Sequence, residues 1–353
     1  MSVPPIPATQ IIRIALIGCG RISRNHFEAI SKIGRLALVG VCDTIESRAR
    51  EAGEQHGVPW FTDYAALLAQ VPCDVIVVAT PSGLHPQHGI LAAKAGRHVI
   101  SEKPMGISLA AADALVQACD DNHVHLFVVK QNRLNPPIQL LKRAIDRGRF
   151  GRIFMANCTV RWTRPQDYYD QAPWRGTWEF DGGAFMNQAS HYVDLIQWLV
   201  GPVESVIAKT ATLARRIEAE DCGVAVLKFR SGALGTIEVT MLTFPRNLEG
   251  SITILGEKGT VKIGGTAVNK VEQWTFAEYD DDDKHVELAN TNPQSIYGHG
   301  HEAYYRNVDA VLHGEAAPDT DGRAGRKSLE LILGIYESAK TGCEVPLPLR
   351  VSS

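Results

Sequence analysis

The chain is predicted to be α/β: a doubly wound parallel sheet in its first 130 residues, followed by an α+β domain on a large, open, mostly antiparallel sheet. Three observations predict it. Between residues 10 and 130, short apolar runs alternate with helical patterns. Those runs are almost continuously apolar, as strands covered on both faces are. From about residue 152 the runs lengthen and alternate, separated by Gly-containing turns such as Ser231-Gly232 and Glu257-Lys258-Gly259. The expected domains are 1–130 and 131–353, with the late helices free to pack back on the first.

The elements follow in order. Strands are expected at 11–17, 36–42, 74–79, 97–101 and 124–129, and helices near 23–33, 45–56, 63–69, 86–95 and 108–121. A crossover helix near 136–147 ends at Gly148-Arg149-Phe150-Gly151. The second sheet is expected to use 153–163, 204–214, 221–229, 234–243, 249–255 and 259–263. Residues 301–341 return to helix, with Leu329, Ile332, Leu333 and Tyr336 on one face. The acidic run Asp280 to Asp283, followed by Lys284, reads as a solvated loop.

Length and composition bound the function. At 353 residues the chain has room for about two domains. Its net charge of −3 gives no electrostatic case for nucleic acid. The seven Cys show no ligand-like spacing and read as small core residues in a reducing compartment. The start, Met1 to Pro7, lacks the basic and apolar regions of a signal peptide, and no run is long enough to span a membrane. The reading is a soluble, cytoplasmic protein.

The first candidate site lies between the first strand and first helix: Gly18-Cys19-Gly20-Arg21-Ile22-Ser23. Gly18 permits a sharp turn, and Gly20 lets the backbone approach a pyrophosphate. The helix that follows aims its N–H groups and positive dipole end at that anion. Ser23 stands where Gly or Ala is usual, and is small enough to pack there. The second strand ends at Asp43, where a carboxylate can accept from an adenosine ribose and would repel a 2′-phosphate. Together these predict a Rossmann-type NAD site, with Gly18, Gly20, Arg21, Ile22 and Asp43 holding the cofactor. Ligands in such sheets bind outside the carboxyl ends of the strands. Two further strand ends therefore matter: Thr80-Pro81-Ser82-Gly83-Leu84-His85, and Glu102-Lys103-Pro104. Beside a positively charged nicotinamide, the Lys103 ammonium would release its proton more readily.

The second candidate site lies at 174–194. The spacing predicts a helix from Met186 that lines up Asn187, His191 and Asp194 at i, i+4 and i+7. Such a stripe can position a hydroxyl and move its proton, although structural polar networks look the same. Gly182-Gly183 would let the helix start close to a ligand or another backbone. The stretch 161–175 adds Arg161, Arg164 and Arg175 with Trp162, Tyr168 and Tyr169, a set suited to anions and stacked rings. The Gly spacing of the cluster Tyr297-Gly298-His299-Gly300-His301 suggests a loop that closes over a ligand. No metal is expected, because His299 and His301 lack a third ligand.

The set Gly18-Cys19-Gly20, Asp43, Thr80-Pro81-Ser82, His85 and Glu102-Lys103-Pro104 resembles the Gfo/Idh/MocA oxidoreductases. Glu-Lys-Pro is that family's most diagnostic tripeptide. The resemblance implies NAD-dependent hydride transfer, with Lys103 near the nicotinamide and the substrate hydroxyl. It implies cofactor contacts at Thr80, Ser82, His85 and Glu102; position in the chain alone suggests Gln131 as a hydrogen-bonding group on the nicotinamide side. Trp174 and Arg175 match positions that reach the cofactor of the same or an adjacent subunit. The family's Gly-Gly-x-x-x-Asp-x-x-x-His-x-x-Asp stretch is matched at the glycines, His191 and Asp194. Asn187 stands where many relatives carry Asp, and an amide cannot take a proton at neutral pH. The general-base role therefore falls to His191 or Lys103.

Closer likeness, over Lys130 to Arg133, 161–169 and 182–191, is to the members that oxidise C3 of UDP-N-acetyl-glucosaminuronic acid. It implies a UDP-sugar acid contacted by Lys103, Arg164, Tyr168, Tyr169, Asn187, Gln188 and His191. It also places the reaction on the route to a diacetamido uronic acid for surface polysaccharide, and implies a homo-oligomer, dimer or tetramer, formed through the open sheet. Two alternatives stand beside it: a dehydrogenase of an unactivated sugar or inositol, and a non-catalytic NAD-binding regulator on the same fold.

Overall fold

A computed structural model of the chain describes residues 3–290 and 300–349. The chain divides into two units, Met1–Val129 with His301–Arg326, and Lys130–Gly300 with Lys327–Ser353.

The first unit carries β1 (Ile12–Ile17), α1 (Ser23–Ser31), β2 (Leu36–Cys42), α2 (Glu46–His56), β3 (Trp60–Phe61), α3 (Tyr64–Gln70), β4 (Val75–Val78), α4 (His85–Lys94), β5 (His98–Ser101), α5 (Leu109–Asp121) and β6 (Leu126–Val128). All strands pair in parallel, in the order β3-β2-β1-β4-β5-β6. Strand order reverses between β1 and β4, which opens a crevice at their carboxyl ends. The strands β1 and β4 are buried along almost their whole length, as sheet residues covered on both faces must be. The edge strand β3 was not expected: at two residues it is too short to show a period. Asp63 caps α3 by accepting from the N–H groups of Ala65 and Ala66, and Ser108 caps α5 through Ala111.

The second unit carries α6 (Pro136–Asp146), β7 (Ile153–Arg161), α7 (Gln166–Asp170), α8 (Ser190–Val200), β8 (Val203–Ala211), β9 (Cys222–Phe229), β10 (Leu234–Thr240), β11 (Glu249–Gly256), β12 (Gly259–Gly264), β13 (Lys270–Phe276) and α9 (Val286–Ala289). Then follow α10 (Gly300–Leu312), α11 (Gly322–Thr341) and β14 (Val345–Pro346). The helix α10 falls almost wholly in the first unit, and α11 crosses the division. The sheet order is β13-β12-β11-β7-β10-β9-β8-β14, antiparallel except for the pair β7–β10. One face is core: Ala156, Cys158, Val160, Leu227, Ile237 and Ile252 are buried, and Cys158 Sγ reaches the Tyr192 carbonyl of α8 at 3.5 Å. The other face exposes Met155, Ile207, Val224, Val226 and Leu234.

Four expectations are corrected. The helix expected from Met186 starts at Ser190, and Asn187 lies in the turn before it. The turn's N–H groups go to Glu220 and Tyr336 rather than to a helical ladder. The acidic run is not a solvated loop: Asp280, Asp282 and Asp283 pair with Arg147, Arg143 and Arg149, and Asp283 also accepts from Trp274. The late helical region is two helices, interrupted at 313–321. Strand β13 was overlooked because its polar residues sit on an exposed edge and give no apolar period. Tyr297 to His299 lie outside the described residues.

Arg133 and Asp194 tie the entry of the second unit to α8 through two bonds of 2.7 Å, with both side chains buried. Lys130 Nζ stands 3.9 Å from the same carboxylate. Arg133→Met leaves Asp194 buried with only that distant partner. It should cost about 3–5 kcal/mol in urea unfolding followed by Trp fluorescence, a signal to which Trp198, stacked on Arg133, contributes.

Candidate active site

The turn after β1 is built as a dinucleotide site requires. Gly18 has φ +91°, and a Cβ there would lie 2.5 Å from the Ala79 carbonyl oxygen, so no other residue fits. A Cβ on Gly20 would meet nothing within 4 Å, so no packing within the chain demands that glycine. No side chain caps the first turn of α1. Asp43, at the end of β2, accepts from the Cys19 N–H at 2.9 Å and the Ile45 N–H at 2.8 Å. It thereby fixes the glycine turn to its neighbouring strand, and a carboxylate has capacity for further donors. Arg21, in the glycine turn, is exposed, and Ile22 is the N-cap of α1. These residues fit NAD.

The Glu102-Lys103-Pro104 turn is held from behind. His26, on the buried face of α1, reaches the Tyr305 hydroxyl through Nδ1 at 2.8 Å and Glu102 Oε1 through Nε2 at 3.1 Å. The other carboxylate oxygen accepts the Lys103 N–H at 2.9 Å. Burial works against ionisation of Glu102. The bond and charge of His26, with the charges of Lys103 and His301, outweigh it and hold the carboxyl below its usual range. His301, read in the sequence only beside His299, has partners from distant segments. With His26 and Glu102 it forms the one group of three such side chains, among the described residues, whose donor atoms lie within 4.8 Å of one another. Both nitrogens of His26 are already hydrogen-bonded, so the group is a network built around Glu102. Burial, then the neighbouring His26, pushes the His301 pKa down to about 4.

His85 binds the two strand-end loops together. Its Nδ1 lies 2.7 Å from the Pro104 carbonyl and its Nε2 2.7 Å from the Thr80 carbonyl. Burial holds its pKa below the ordinary value. The neutral ring carries one N–H and so donates to one of these carbonyls at a time; lodged between them, it serves the shape of the two loops. Thr80 Oγ1 meets His88 Nδ1 at 3.1 Å, and Ser82 is buried at the start of a short helical turn.

In the second unit, Asp181 orients the polar turn. It accepts from the Gly176 N–H at 2.8 Å and from the Asn187 amide. Gln188 and His191 are buried, the latter in the first turn of α8. The Gln131 amide donates to His191 Nε2 at 3.2 Å, which leaves the ring's own proton on Nδ1. Asp194 is committed to Arg133 and serves the scaffold. Tertiary structure supplies His26, Tyr305 and Asp181, which the sequence reading missed. Only His26 left a trace, as a polar residue beside Phe27 on an apolar helix face.

The arginines separate. Arg161 lies on the open sheet face, paired with Glu238 at 2.7 Å and Glu249 at 3.2 Å, and is not part of an anion site. Arg164 and Arg175 form no ion pair among the described residues. Arg164 lies 5.3 Å from the ring centres of both Trp162 and Tyr168; Arg175 lies 4.2 Å from Tyr168 and 5.6 Å from Trp174. Tyr169 is buried edge-on to Tyr168 at 5.1 Å. The result is an alternating series of rings and cations whose charges, among the described residues, are met by carbonyl and amide oxygens.

A parallel sheet with this glycine turn is the architecture of an NAD-binding unit. Residues 12–130 match the NAD-binding Rossmann fold of the Gfo/Idh/MocA oxidoreductases, and residues 142–347 match that family's C-terminal alpha/beta domain. The chain belongs to this family. It is 58% identical to the WlbA dehydrogenase from Bordetella pertussis, solved with NADH and UDP-GlcNAcA, covering 98% of this chain and 100% of that one at a TM-score of 0.95. It is 54% identical to the WlbA dehydrogenase from Chromobacterium violaceum in the same complex, covering 99% and 100% at a TM-score of 0.95. The myo-inositol 2-dehydrogenase of Thermotoga maritima is 30% identical over 71% of this chain and 74% of its own. No helix among the described residues is long and apolar enough to cross a membrane.

The folded-state pKa of His301 lies below its ordinary value, so the stability it contributes is present above about pH 6.5 and is lost as pH falls toward 4. His301→Gln removes this dependence. The stability advantage of wild type over the variant should shrink by on the order of 3 kcal/mol across that window, measured by denaturation at stepped pH.

Proposed function

We propose that this protein oxidises the C3 hydroxyl of UDP-N-acetyl-glucosaminuronic acid to the ketone, with NAD as hydride acceptor. The observation that carries the reading is the 58% identity, across 98% of the chain, to a dehydrogenase solved with NADH and UDP-GlcNAcA. The anion cluster supports it: a diphosphate and a carboxylate suit the guanidinium groups of Arg164 and Arg175, and the rings of Tyr168 and Tyr169 suit uracil or sugar.

Gly18, Gly20, Arg21, Ile22 and Asp43 hold the dinucleotide in this reading, with Thr80, Ser82, Glu102, Gln131, Trp174 and Arg175 toward its nicotinamide half. NAD, when bound, supplies the redox chemistry. The chain supplies orientation and proton transfer. Asn187 and Gln188 orient the reacting hydroxyl, and Asn187 cannot take its proton. That proton passes to His191 or Lys103. Gln131 can serve His191 in both states: its Nε2–H donates to the neutral ring, and its Oε1, which has no hydrogen-bond partner among the described residues, can accept from the protonated one. The product then serves a diacetamido uronic acid of surface polysaccharide, made in the cytoplasm. The likeness to the inositol dehydrogenase supports a second reading, oxidation of an unactivated polyol.

We infer a dimer or tetramer formed through the open sheet. Met155, Ile207, Val224, Val226 and Leu234 expose apolar side chains there, among the ion pairs of Arg161 and Lys262.

Absorbance of NADH should rise with UDP-N-acetyl-glucosaminuronic acid and NAD, and stay flat with free inositol or free sugars; the reverse pattern selects the polyol reading. Lys103→Ala should lower kcat by about 10²–10⁴-fold with NADH binding retained, and an unchanged rate removes Lys103 from the chemistry. Arg164→Ala should raise the KM for the nucleotide sugar by about tenfold, the worth of one charge-assisted hydrogen bond, without changing that for NAD. Sedimentation should give a dimer or larger, and a monomer would refute the sheet interface.

A further inference from the structure

The buried carboxyl group of Glu220 takes no part in the chemistry above. It lies just ahead of β9 and is 3% exposed. Its Oε1 accepts from the Phe185 N–H at 2.8 Å and from the Tyr336 hydroxyl at 2.9 Å. That hydroxyl in turn accepts the N–H groups of Gly183 at 3.3 Å and Met186 at 3.1 Å. The Glu220 main-chain carbonyl takes the N–H of Ala184 at 3.0 Å. Four successive N–H groups, 183 to 186, are thus held by one carboxyl–phenol pair and its backbone. The Asn187 N–H closes the turn on the Gly183 carbonyl at 2.9 Å, and α8 with His191 begins three residues later. The clamp also accounts for the second glycine of the Gly182-Gly183 pair, because a Cβ on Gly183 would be driven into the Glu220 carboxyl group.

Glu220 is an expensive way to hold a turn. Its Oε2 is buried and has no hydrogen-bond partner among the described residues. Burial pushes its pKa up to about 7. The neighbouring Asp221 adds to the rise, and the bonds from Phe185 and Tyr336 oppose it. Tyr336, from α11, and Asp221 are the titratable groups acting on it. Asp221 is itself engaged with the N–H groups of Leu213, Ala214 and Arg215. A neutral side chain at 220 would be easier to bury, yet the ionisable one sits where the turn ahead of His191 is set. Groups that cost stability and persist beside a site are retained for its geometry.

We propose that Glu220, acting with Tyr336, is a positioning group for Asn187 and His191: as a carboxylate it locks the Gly183–Met186 turn and so fixes where amide and imidazole meet the substrate. It touches neither substrate nor cofactor. The proposal rests on the dehydrogenase reading above for its kinetic consequence, and on the hydrogen-bond geometry alone for its structural one.

The test uses full-length Glu220→Gln, Tyr336→Phe and the double variant. Each single variant should lower kcat by about 10- to 100-fold, as a small misplacement does, with the Kd for NADH unchanged within twofold. The double variant should be no slower than the slower single one, because the pair works as a unit. Wild-type kcat should fall as pH drops through about 7, and Glu220→Gln should lose that inflection.

Stability should move the other way. The folded-state pKa of Glu220 is raised, so its contribution to stability is present below about pH 4.5 and lost as pH rises through 7. The Tm of Glu220→Gln should therefore gain on wild type between pH 5 and 8, and a variant that is as stable but slower identifies positioning. A kcat within twofold of wild type, strictly additive losses, or a loss of kcat matched by loss of folded protein at pH 8 overturns the proposal. Amide hydrogen exchange at 183–186 separates the two readings. If wild type turns over no nucleotide sugar, the function fails, while faster exchange in Tyr336→Phe sustains the clamp and unchanged exchange ends it.

Discussion

Backbone N–H groups in the loops beyond a strand's end have no partner in the sheet, and buried carboxylates take them throughout this protein. Asp43 holds the N–H groups of Cys19 and Ile45, Glu102 that of Lys103, Asp181 that of Gly176, Glu220 that of Phe185, and Asp221 those of three residues from Leu213. The common reason is that a buried donor left unpaired costs more than a hydrogen bond returns. A carboxylate accepts several donors at once and so sets the shape of a loop from one point. The candidate residues Lys103 and Asn187 stand in turns fixed in this way.

The carboxylates differ in what supports their charge. Glu102 has His26 beside it and is held below the usual carboxyl range. Glu220 has only a phenol, two main-chain contacts and a negative neighbour, and is pushed the opposite way. The same residue type therefore behaves as a fixed anion in one unit and as a group poised near neutrality in the other. The difference comes from burial and neighbours. Cations follow the same logic. Arg133 and Arg161 are neutralised by acids and belong to the scaffold, whereas Arg164 and Arg175 lean on aromatic faces and form no ion pair among the described residues.

Much of the candidate site was legible because its signals are local. Gly18 announces a positive φ, and Asp43 announces a strand end at a set distance from the glycines. Lys103 stands out as a cation at the end of a buried strand. His191 was found through spacing, although the helix beneath it starts later than the period suggested. The period failed at Asn187 because that turn is held by groups more than thirty residues away in sequence, and no local pattern encodes them. The role suggested for Arg161 failed for a related reason: its partners, Glu238 and Glu249, come from other strands. The sequence showed His301 only beside His299 because its neighbours, His26 and Glu102, lie some two hundred residues or more earlier in the chain.

The sequence by itself determined the two-part α/β architecture, the dinucleotide turn and the residue types available for proton transfer. Period, glycine placement and strand-end chemistry act over a few residues, and a few residues suffice to show them. Tertiary structure alone decided which charges are spent and which are kept, which histidines support and which are presented, and where the turn before α8 closes. Those outcomes depend on burial and on partners brought from distant segments. A charge's environment is a property of the packed chain, and no stretch of sequence contains it.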